Sequence, residues 1–243
     1  MKALYFTGDS IVDLVETDKP SPGKGEVVLQ MKASGVCGSD LKNLRLSKAE
    51  KPAFADLKVP GHEPVGIVSE LGEGVTNVSV GDRVMMHHYT GCLQCSMCLI
   101  GYTQMCMVHH EVYGSTAHGG HQEFMLVPAY TCIPMPDELD FAAAAACSCG
   151  TGTAFHAVKR IEPTGLDTVA IFGQGPVGLS ATMFAAQMGA RVIAVDISPY
   201  RLRLAEKLGA DEVIDSSNVN AVSYTHLRAH ETDSYLVCRL LLE

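Results

Sequence analysis

The sequence is poor in three features, and each shortage excludes a class of protein. It has no excess of basic residues, since 18 Lys and Arg stand against 27 Asp and Glu in 243 residues, a formal net charge of −9. Nucleic-acid binding is therefore not expected, because phosphates require a basic face. No apolar run approaches the ~20 residues that cross a bilayer. The N-terminus has no apolar core followed by a signal-peptide cleavage site, so we expect a cytoplasmic protein with no membrane partner.

Cysteine, in contrast, is plentiful and unevenly distributed. Four of the nine cysteines fall within fifteen residues, namely Cys92, Cys95, Cys98 and Cys106. Without an export signal, such clustering indicates a metal site rather than disulfides. Four thiolates on one loop suit tetrahedral zinc and leave no coordination position open, which is typical of structural zinc. An iron–sulfur cluster also takes four cysteines, but no second set accompanies this one, so we favour zinc.

The chain changes in character near Gly150. Residues 1–150 contain short strand candidates separated by Gly and Pro turns, which indicates a β-rich, barrel-like unit. A helical stretch rich in alanine is predicted to begin at Asp137. From Asp167, strand candidates at 168–172, 191–195 and 212–214 alternate with helix candidates at 177–188 and 199–208. This alternation predicts a parallel sheet, so the fold class is α/β with a β-rich first domain.

A glycine turn between the first strand and helix of that alternation predicts a nucleotide site. Gly173, Gly175 and Gly178 fit the pattern G-x-G-x-x-G, and Asp196 follows 18 residues later at the end of the next strand. The glycines permit close approach of a pyrophosphate to the N–H groups that open the helix. The carboxylate accepts hydrogen bonds from ribose hydroxyls and repels a 2′-phosphate, so NAD is preferred to NADP.

Three further residues on separate segments form a candidate catalytic metal site. Cys37 and His62 each lie beside a strand candidate, and Cys149 lies where the helical stretch ends. Two cysteines and one histidine leave a fourth position of zinc open, which is the pattern of a catalytic site. Taken singly, each residue also fits an ordinary packed or surface position, and spacing alone does not decide between the two interpretations.

Together these motifs resemble those of the zinc-dependent medium-chain alcohol dehydrogenases. The resemblance rests on residues 35–40, Gly61-His62-Glu63, the cysteine cluster and the glycine turn with Asp196, and it extends in order from Met1 to about Asn220. It implies a GroES-like zinc-binding catalytic domain at 1–150 and the N-terminal part of a Rossmann NAD-binding domain at 151–221. It further implies hydride transfer from an alcohol to NAD, two zincs, and a homodimer or homotetramer for the full-length form.

The resemblance assigns roles around the catalytic zinc. Cys37, His62 and Cys149 would be its ligands, Ser39 the hydroxyl of the proton relay, and Glu63 the acid beside the zinc, which is sometimes a transient ligand.

Register favours Cys149 as the third ligand. The family carries a threonine four residues after this ligand and often an aromatic residue six after it, and Thr153 and Phe155 fit Cys149. Cys147 remains a competitor. Some relatives extend the relay through a histidine at the position that Lys42 occupies here.

On the cofactor side, the resemblance places Thr153 and Val177 near the nicotinamide. The glycine turn, which includes Pro176, would hold the pyrophosphate, and Arg201 would approach the adenosine ribose together with Asp196.

Alternative functions follow from the same motifs. The first is a polyol or threonine dehydrogenase of the same family, although those relatives usually carry glutamate where Cys149 stands. The second is a zinc-binding structural or redox-sensing domain without catalysis. Residues 222–243 match nothing in the family and resemble the translation of a sequencing-library adapter, so we expect a non-native tail. Because half of the Rossmann sheet would then be missing, we expect little or no turnover from this chain alone and poor solubility.

Overall fold

The structure is a computed structural model that describes residues 1–217. These residues form two compact units, one spanning Met1–Cys149 and one that begins at Gly150. The predicted non-native tail at 222–243 lies outside the described residues. None of the helices within 1–217 is long and apolar enough to cross a membrane.

The first unit consists of antiparallel strands with short helices. Its strands are β1 (Lys2–Gly8), β2 (Ile11–Glu16), β3 (Glu26–Gly35), β4 (Glu63–Leu71), β5 (Arg83–Met86), β6 (Phe124–Pro128) and β7 (Cys132–Pro134). Its helices are α1 (Gly38–Arg45), α2 (Ser96–Leu99) and α3 (Phe141–Ala146), with 3-10 turns at Lys48–Glu50, Phe54–Asp56, Thr103–Met105 and Ala129–Thr131. Strands β1 and β2 form a hairpin, and the other five form a sheet in the order β6-β3-β4-β5-β7.

The core of the first unit is centred on strand β3. Val27, Val28 and Leu29 are consecutive and fully buried, so this strand is covered on both faces and lacks an alternating pattern. The main cluster joins β3 to strands β4, β5 and β6 through Val68, Val84, Met125 and Val127. Burial of each such aliphatic side chain stabilises the fold by about 1.5–3 kcal/mol, which makes β3 the rigid base for the segments that follow it.

The register of β3 against β4 determines where the first motif residues meet. Gly35, the last residue of β3, is paired with Glu63, the first residue of β4. Cys37 and His62 each lie just outside this pair and are therefore brought to the same end of the sheet. A Cβ on Gly35 would lie 1.8 Å from Oε2 of Glu63, so any larger residue here would displace the carboxylate from its position.

Helix α3 carries the third motif residue to the same place. Asp140 caps the helix by accepting a hydrogen bond from the backbone N–H of Ala143 at 2.8 Å. The helix therefore begins at Phe141, four residues later than the sequence-based prediction of Asp137. It packs on β3 and β4, with Ala144 buried in the same cluster as Val65. Its end continues into a π-helical turn, Cys147–Thr151, which contains Cys149.

The second unit contains a parallel sheet of three strands in the order β10-β9-β8. These strands are β8 (Thr168–Phe172), β9 (Arg191–Asp196) and β10 (Glu212–Asp215), and the helices are α4 (Gly152–Ile161), α5 (Pro176–Gln187) and α6 (Pro199–Lys207). The central strand β9 is almost wholly buried, as expected for a parallel strand covered by helices. The α/β fold class, with a β-rich first domain and a Rossmann-like second unit, is confirmed.

Candidate metal centres and nucleotide site

The candidate catalytic centre lies where β3, β4 and α3 end. Cys37, His62, Glu63 and Cys149 each present one ligand atom, and these four atoms all lie within 4.8 Å of one another. Two sulfurs, an imidazole nitrogen and a carboxylate oxygen form a donor set that zinc prefers. Among the described residues, Cys147 is not part of this set.

Asp40 contacts two residues of this centre, and no role for it was predicted from the sequence. Its carboxylate is buried, accepts the backbone N–H of Cys37 at 2.8 Å and lies 3.5 Å from Nδ1 of His62. Burial opposes ionisation, but the hydrogen bonds from His62 and Cys37 outweigh it, so the pKa of Asp40 lies below its usual value. A carboxylate on one ring nitrogen orients the imidazole and leaves the other nitrogen for the metal. The signal was present in the sequence, since Asp40 is the third residue of helix α1 and closes a capping box with Cys37.

The charge distribution at the centre favours a cation. Burial opposes protonation of His62, but hydrogen bonds and charge from Asp40 and Cys149 raise the pKa of His62 to about 11. Burial also opposes ionisation of Cys37, yet hydrogen bonds with Ser39 and the charge of His62 hold the pKa of this thiol below its ordinary value. A metal ion would have to displace this proton from His62, and the same negative charge would stabilise the metal dication in its place.

Glu63 differs from the other carboxylate at the centre. Burial, together with the charge of Asp40, raises the pKa of Glu63 above its usual value, against the opposing effect of His62. The raised pKa means that the ionised form of Glu63, which is the form that binds a metal, is less favoured. Glu63 is therefore better suited to bind a metal transiently than permanently.

A cavity of about 530 Å³ opens next to the centre, and its lining includes Cys37, Ser39, His62 and Cys149. His88, which the sequence analysis did not consider, also lines this cavity. Its ring lies edge-on to that of His62 with centroids 5.2 Å apart. Burial and the charge of His62 lower the pKa of His88 to about 4, so this ring is neutral near pH 7. The cavity thus combines metal donors, a hydroxyl and a neutral imidazole.

The second group of donors consists of the four clustered cysteines, Cys92, Cys95, Cys98 and Cys106, whose sulfurs lie within 4.8 Å of one another. The Sγ atoms of Cys92 and Cys98 are 4.0 Å apart, and those of Cys95 and Cys106 are 3.9 Å apart. Sulfurs bound to zinc at ~2.3 Å in a tetrahedron are separated by roughly 3.8 Å. The cluster therefore fits a zinc ion with four protein ligands.

Local backbone geometry shapes this cysteine loop. A Cβ on Gly91 would lie 2.7 Å from Sγ of Cys98, and Leu93 adopts a left-handed conformation with φ of 56°. The backbone N–H groups of Cys92 and His109 donate to Sγ of Cys106 at 3.3 and 3.4 Å. Hydrogen bonds from Cys92 and His109 lower the pKa of Cys106 to about 5, which favours the thiolate that zinc binds.

The glycine turn of the second unit has the shape of a pyrophosphate site. Gly173 has φ of 84°, and a Cβ on Gly178 would lie 1.8 Å from the carbonyl oxygen of Gly173, so helix α5 can approach β8 only with glycine there. A Cβ on Gly175, by contrast, would meet no atom within 4 Å, which leaves this side of the turn open for a ligand. Pro176 begins helix α5, and the half-buried Val177 follows it.

Asp196 is tied to the same turn. Its Oδ2 accepts the backbone N–H of Gln174 at 2.6 Å and its Oδ1 accepts that of Ser198 at 2.8 Å. Nη1 of Arg201 lies 3.8 Å from Oδ2. Since a carboxylate has about four acceptor positions, Asp196 can hold the turn and still accept a ribose hydroxyl. Thr153 is exposed on helix α4.

Two family matches cover most of the chain. Residues 23–137 match the family described as alcohol dehydrogenase GroES-like domain, and residues 176–237 match the one described as zinc-binding dehydrogenase. The second match continues past residue 221, where we predicted the native sequence to end.

Individual proteins agree with these matches. An uncharacterized zinc-type alcohol dehydrogenase-like protein of Escherichia coli (strain K12) is 40% identical over 86% of this chain and 61% of its own length. Among solved structures, a thermostable alcohol dehydrogenase from Pyrobaculum aerophilum is 32% identical with a TM-score of 0.79, covering 91% of this chain and 67% of that one. Acetophenone reductase from Geotrichum candidum, in complex with NAD, is 34% identical with a TM-score of 0.79, covering 88% and 63%.

The chain thus spans about three fifths of the length of the curated relatives it matches. Both domain types occur in the order that the motifs implied, the GroES-like domain first and the dehydrogenase domain second. The chain belongs to the family of zinc-dependent medium-chain alcohol dehydrogenases.

Proposed function

We propose that the protein to which this chain belongs transfers a hydride from an alcohol to NAD and produces an aldehyde or ketone, NADH and a proton. One observation carries the proposal: the ligand atoms of Cys37, His62, Glu63 and Cys149 converge beside an open cavity. Three strong donors, beside a carboxylate that would bind only transiently, leave one position for a substrate oxygen, which a site closed by four cysteines does not.

Cys37, His62 and Cys149 would hold the catalytic zinc, and the four clustered cysteines would hold a structural zinc. When bound at the catalytic centre, zinc supplies a Lewis acid that favours ionisation of an alcohol. Ser39 lies in the cavity wall next to Cys37, so its hydroxyl can accept the alcohol proton and pass it outward. Lys42 occupies the position of the outer relay histidine of some relatives, so that imidazole would not take part in the relay beyond Ser39.

In the second unit, the glycine turn and the N-terminus of helix α5 would bind the pyrophosphate of NAD, and Asp196 with Arg201 would bind the ribose. NAD supplies the hydride acceptor. We assign Thr153 and Val177 to the nicotinamide side because of the family resemblance. A 2′-phosphate would meet the carboxylate of Asp196, so NADP is disfavoured.

Metal and cofactor binding test this proposal directly. The purified chain should contain two zincs, and the Cys149→Ser variant should keep one, whereas the matched Cys147→Ser variant should keep both. A fluorescence titration should show that the chain binds NADH more tightly than NADPH. One zinc in the unmodified chain, confined to the cysteine loop, would support a non-catalytic zinc domain and contradict the proposal.

Substrate screening would then separate the alternatives within the family. Primary alcohols, secondary alcohols, polyols and threonine should be compared with a chain extended to the length of its relatives. Preference for a polyol or threonine would replace the plain alcohol assignment, which rests on cysteine rather than glutamate at position 149.

A further inference from the structure

Four glycines meet backbone to backbone directly behind His62. Gly61 precedes this residue, and Gly114, Gly119 and Gly120 belong to a segment more than fifty residues farther along the chain. We call residues 114–121 the glycine segment. None of its residues offers a ligand atom to either metal centre in the described part of the chain.

The contacts between the two segments leave no space for a Cβ at Gly119 and little space for one at Gly114. A Cβ on Gly119 would lie 2.3 Å from the carbonyl oxygen of Gly61 and 2.7 Å from Cα of Gly114. A Cβ on Gly114 would lie 3.1 Å from the backbone nitrogen of His62. Because the obstructing atoms are backbone atoms, a larger residue would have to displace the turn that carries His62.

Backbone hydrogen bonds hold the glycine segment in this position. The N–H groups of Gly119, Gly120 and His121 donate to the carbonyl oxygens of Val59, Gly61 and Pro60 at 2.7, 2.7 and 3.0 Å. Three consecutive donors thus engage the three residues that immediately precede His62. The segment is itself anchored to strand β1, since the N–H of Leu4 donates to the carbonyl oxygen of His121 at 2.9 Å.

The turn at Gly61 is also confined by side chains, one from the glycine segment and one from strand β3. Gly61 has φ of 95°, and a Cβ there would lie 2.6 Å from Nδ1 of His121 and 2.7 Å from Oγ of Ser34. Ser34 belongs to β3, three residues before Cys37. The backbone before His62 is therefore enclosed by the glycine segment and by the strand that leads to Cys37.

We propose that the glycine segment is a positioning element of the catalytic metal centre: it sets the backbone of His62 at the distance from Cys37 and Cys149 that one metal ion requires. The inference rests on the proposed function, because it takes these three residues as ligands. It makes Gly119 and Gly114 positioning residues, although both are distant in sequence from every ligand of that centre.

Two matched pairs of variants test the inference in the full chain. Gly119→Ala is compared with Gly38→Ala, which is adjacent to Cys37 but whose added Cβ meets no atom within 4 Å. Gly114→Ala is compared with Gly74→Ala, because both positions have positive φ, 86° and 82°, but only the first is crowded. Both variants of a pair carry the same Gly→Ala change, but only the first variant places the new Cβ close to other atoms.

The readouts are metal content and the visible spectrum of the cobalt-substituted chain, with Cys149→Ser marking the signal of the catalytic centre. Gly119→Ala should bind metal at that centre about 10- to 100-fold more weakly, as expected when the surroundings of a ligand are disturbed, and keep the metal of the cysteine loop. Gly114→Ala should shift the same signal more than Gly74→Ala does. Gly38→Ala should behave as the unmodified chain.

Retention of both metals with an unchanged spectrum in Gly119→Ala and Gly114→Ala would overturn the inference and leave the proposed function intact. Loss of both metals from these two variants would also overturn it, because the segment would then determine the whole fold rather than one centre. A single metal in the unmodified chain would refute the proposed function itself, which distinguishes the two failures.

Discussion

Replacement of Asp40 by asparagine should weaken metal binding at the proposed catalytic centre without removing any of the proposed ligands. The carboxylate is 4% exposed, accepts the N–H of Cys37 at 2.8 Å and lies 3.5 Å from Nδ1 of His62. Asparagine has nearly the same shape and can still accept one hydrogen bond. It cannot, however, provide the negative charge that stabilises and orients the imidazole of His62.

The expected loss of metal affinity can be estimated from the role of Asp40 as the carboxylate that orients His62. Loss of a carboxylate that orients a metal-bound histidine lowers metal affinity about 10- to 100-fold. Since a factor of ten corresponds to about 1.4 kcal/mol, the expected loss is about 1.4–2.8 kcal/mol of binding free energy. An ordinary carboxyl group has a pKa of ~4, and the pKa of Asp40 lies below its usual value, so Asp40 is ionised throughout the neutral range. The difference in metal affinity between Asp40→Asn and the unmodified chain should therefore persist at about pH 6–8.

Chelator competition on the purified chain measures this affinity for each zinc separately. Asp56→Asn is the matched control, because Asp56 lines the same cavity but is exposed. Asp40→Asn should release one zinc at a lower chelator concentration and leave the zinc of the cysteine loop unchanged. Equal release curves for Asp40→Asn and Asp56→Asn would refute the assigned role of Asp40.

Three further predictions concern the elements around the sites. Gly35→Ala should lower the free energy of unfolding by about 1–3 kcal/mol, because its Cβ would overlap Oε2 of Glu63; an unchanged denaturant midpoint would contradict this. Asp140→Ala should cost about 1 kcal/mol through loss of the cap of helix α3, measured by the same titration, and a neutral result would show that packing alone fixes that helix. Asp196→Ala should weaken NADH binding at least tenfold and reduce the preference over NADPH, since the N–H of Gln174 loses its acceptor; equal affinities of variant and unmodified chain in a fluorescence titration would exclude the role.

The second unit was more predictable from sequence than the first. Strand β8 was predicted at its observed bounds, and helix α5 and strand β9 within a residue, because apolar runs there are separated by glycines and by helix-opening prolines. No clear signal in the sequence predicted the hairpin β1–β2. Strand β2 is mostly exposed, and its apolar residues are not the buried side chains that an alternating pattern would indicate. Short strands such as β7, with three residues, exist only through pairing with a neighbour.

The two metal centres also differ in how well the sequence predicts them, because one is formed by residues close in sequence and the other by residues far apart. Ligands that follow one another in a loop, such as Cys92 and Cys95, could be recognised by spacing because the loop itself brings their sulfurs together. Cys37, His62 and Cys149 could be proposed as a candidate set from the chemistry of their side chains, but only the family resemblance favoured that set over ordinary packed or surface positions. Their proximity depends on strand register and on the packing of α3, which periodicity does not specify.

The backbone, more than the ligand side chains themselves, thus determines the geometry of the candidate catalytic centre. Cys37 is fixed by the capping box at the start of helix α1, and Cys149 by a π-helical turn that continues α3. His62 is fixed by glycines that permit contact between two backbones, as at Gly119. Each of these three backbone features restricts one segment before any metal ion binds. The ligands are therefore preorganised, which reduces the entropy cost of metal binding. Sequence motifs identify the donors, but the residues that arrange them contribute no ligand atom and are found only from contacts between distant segments.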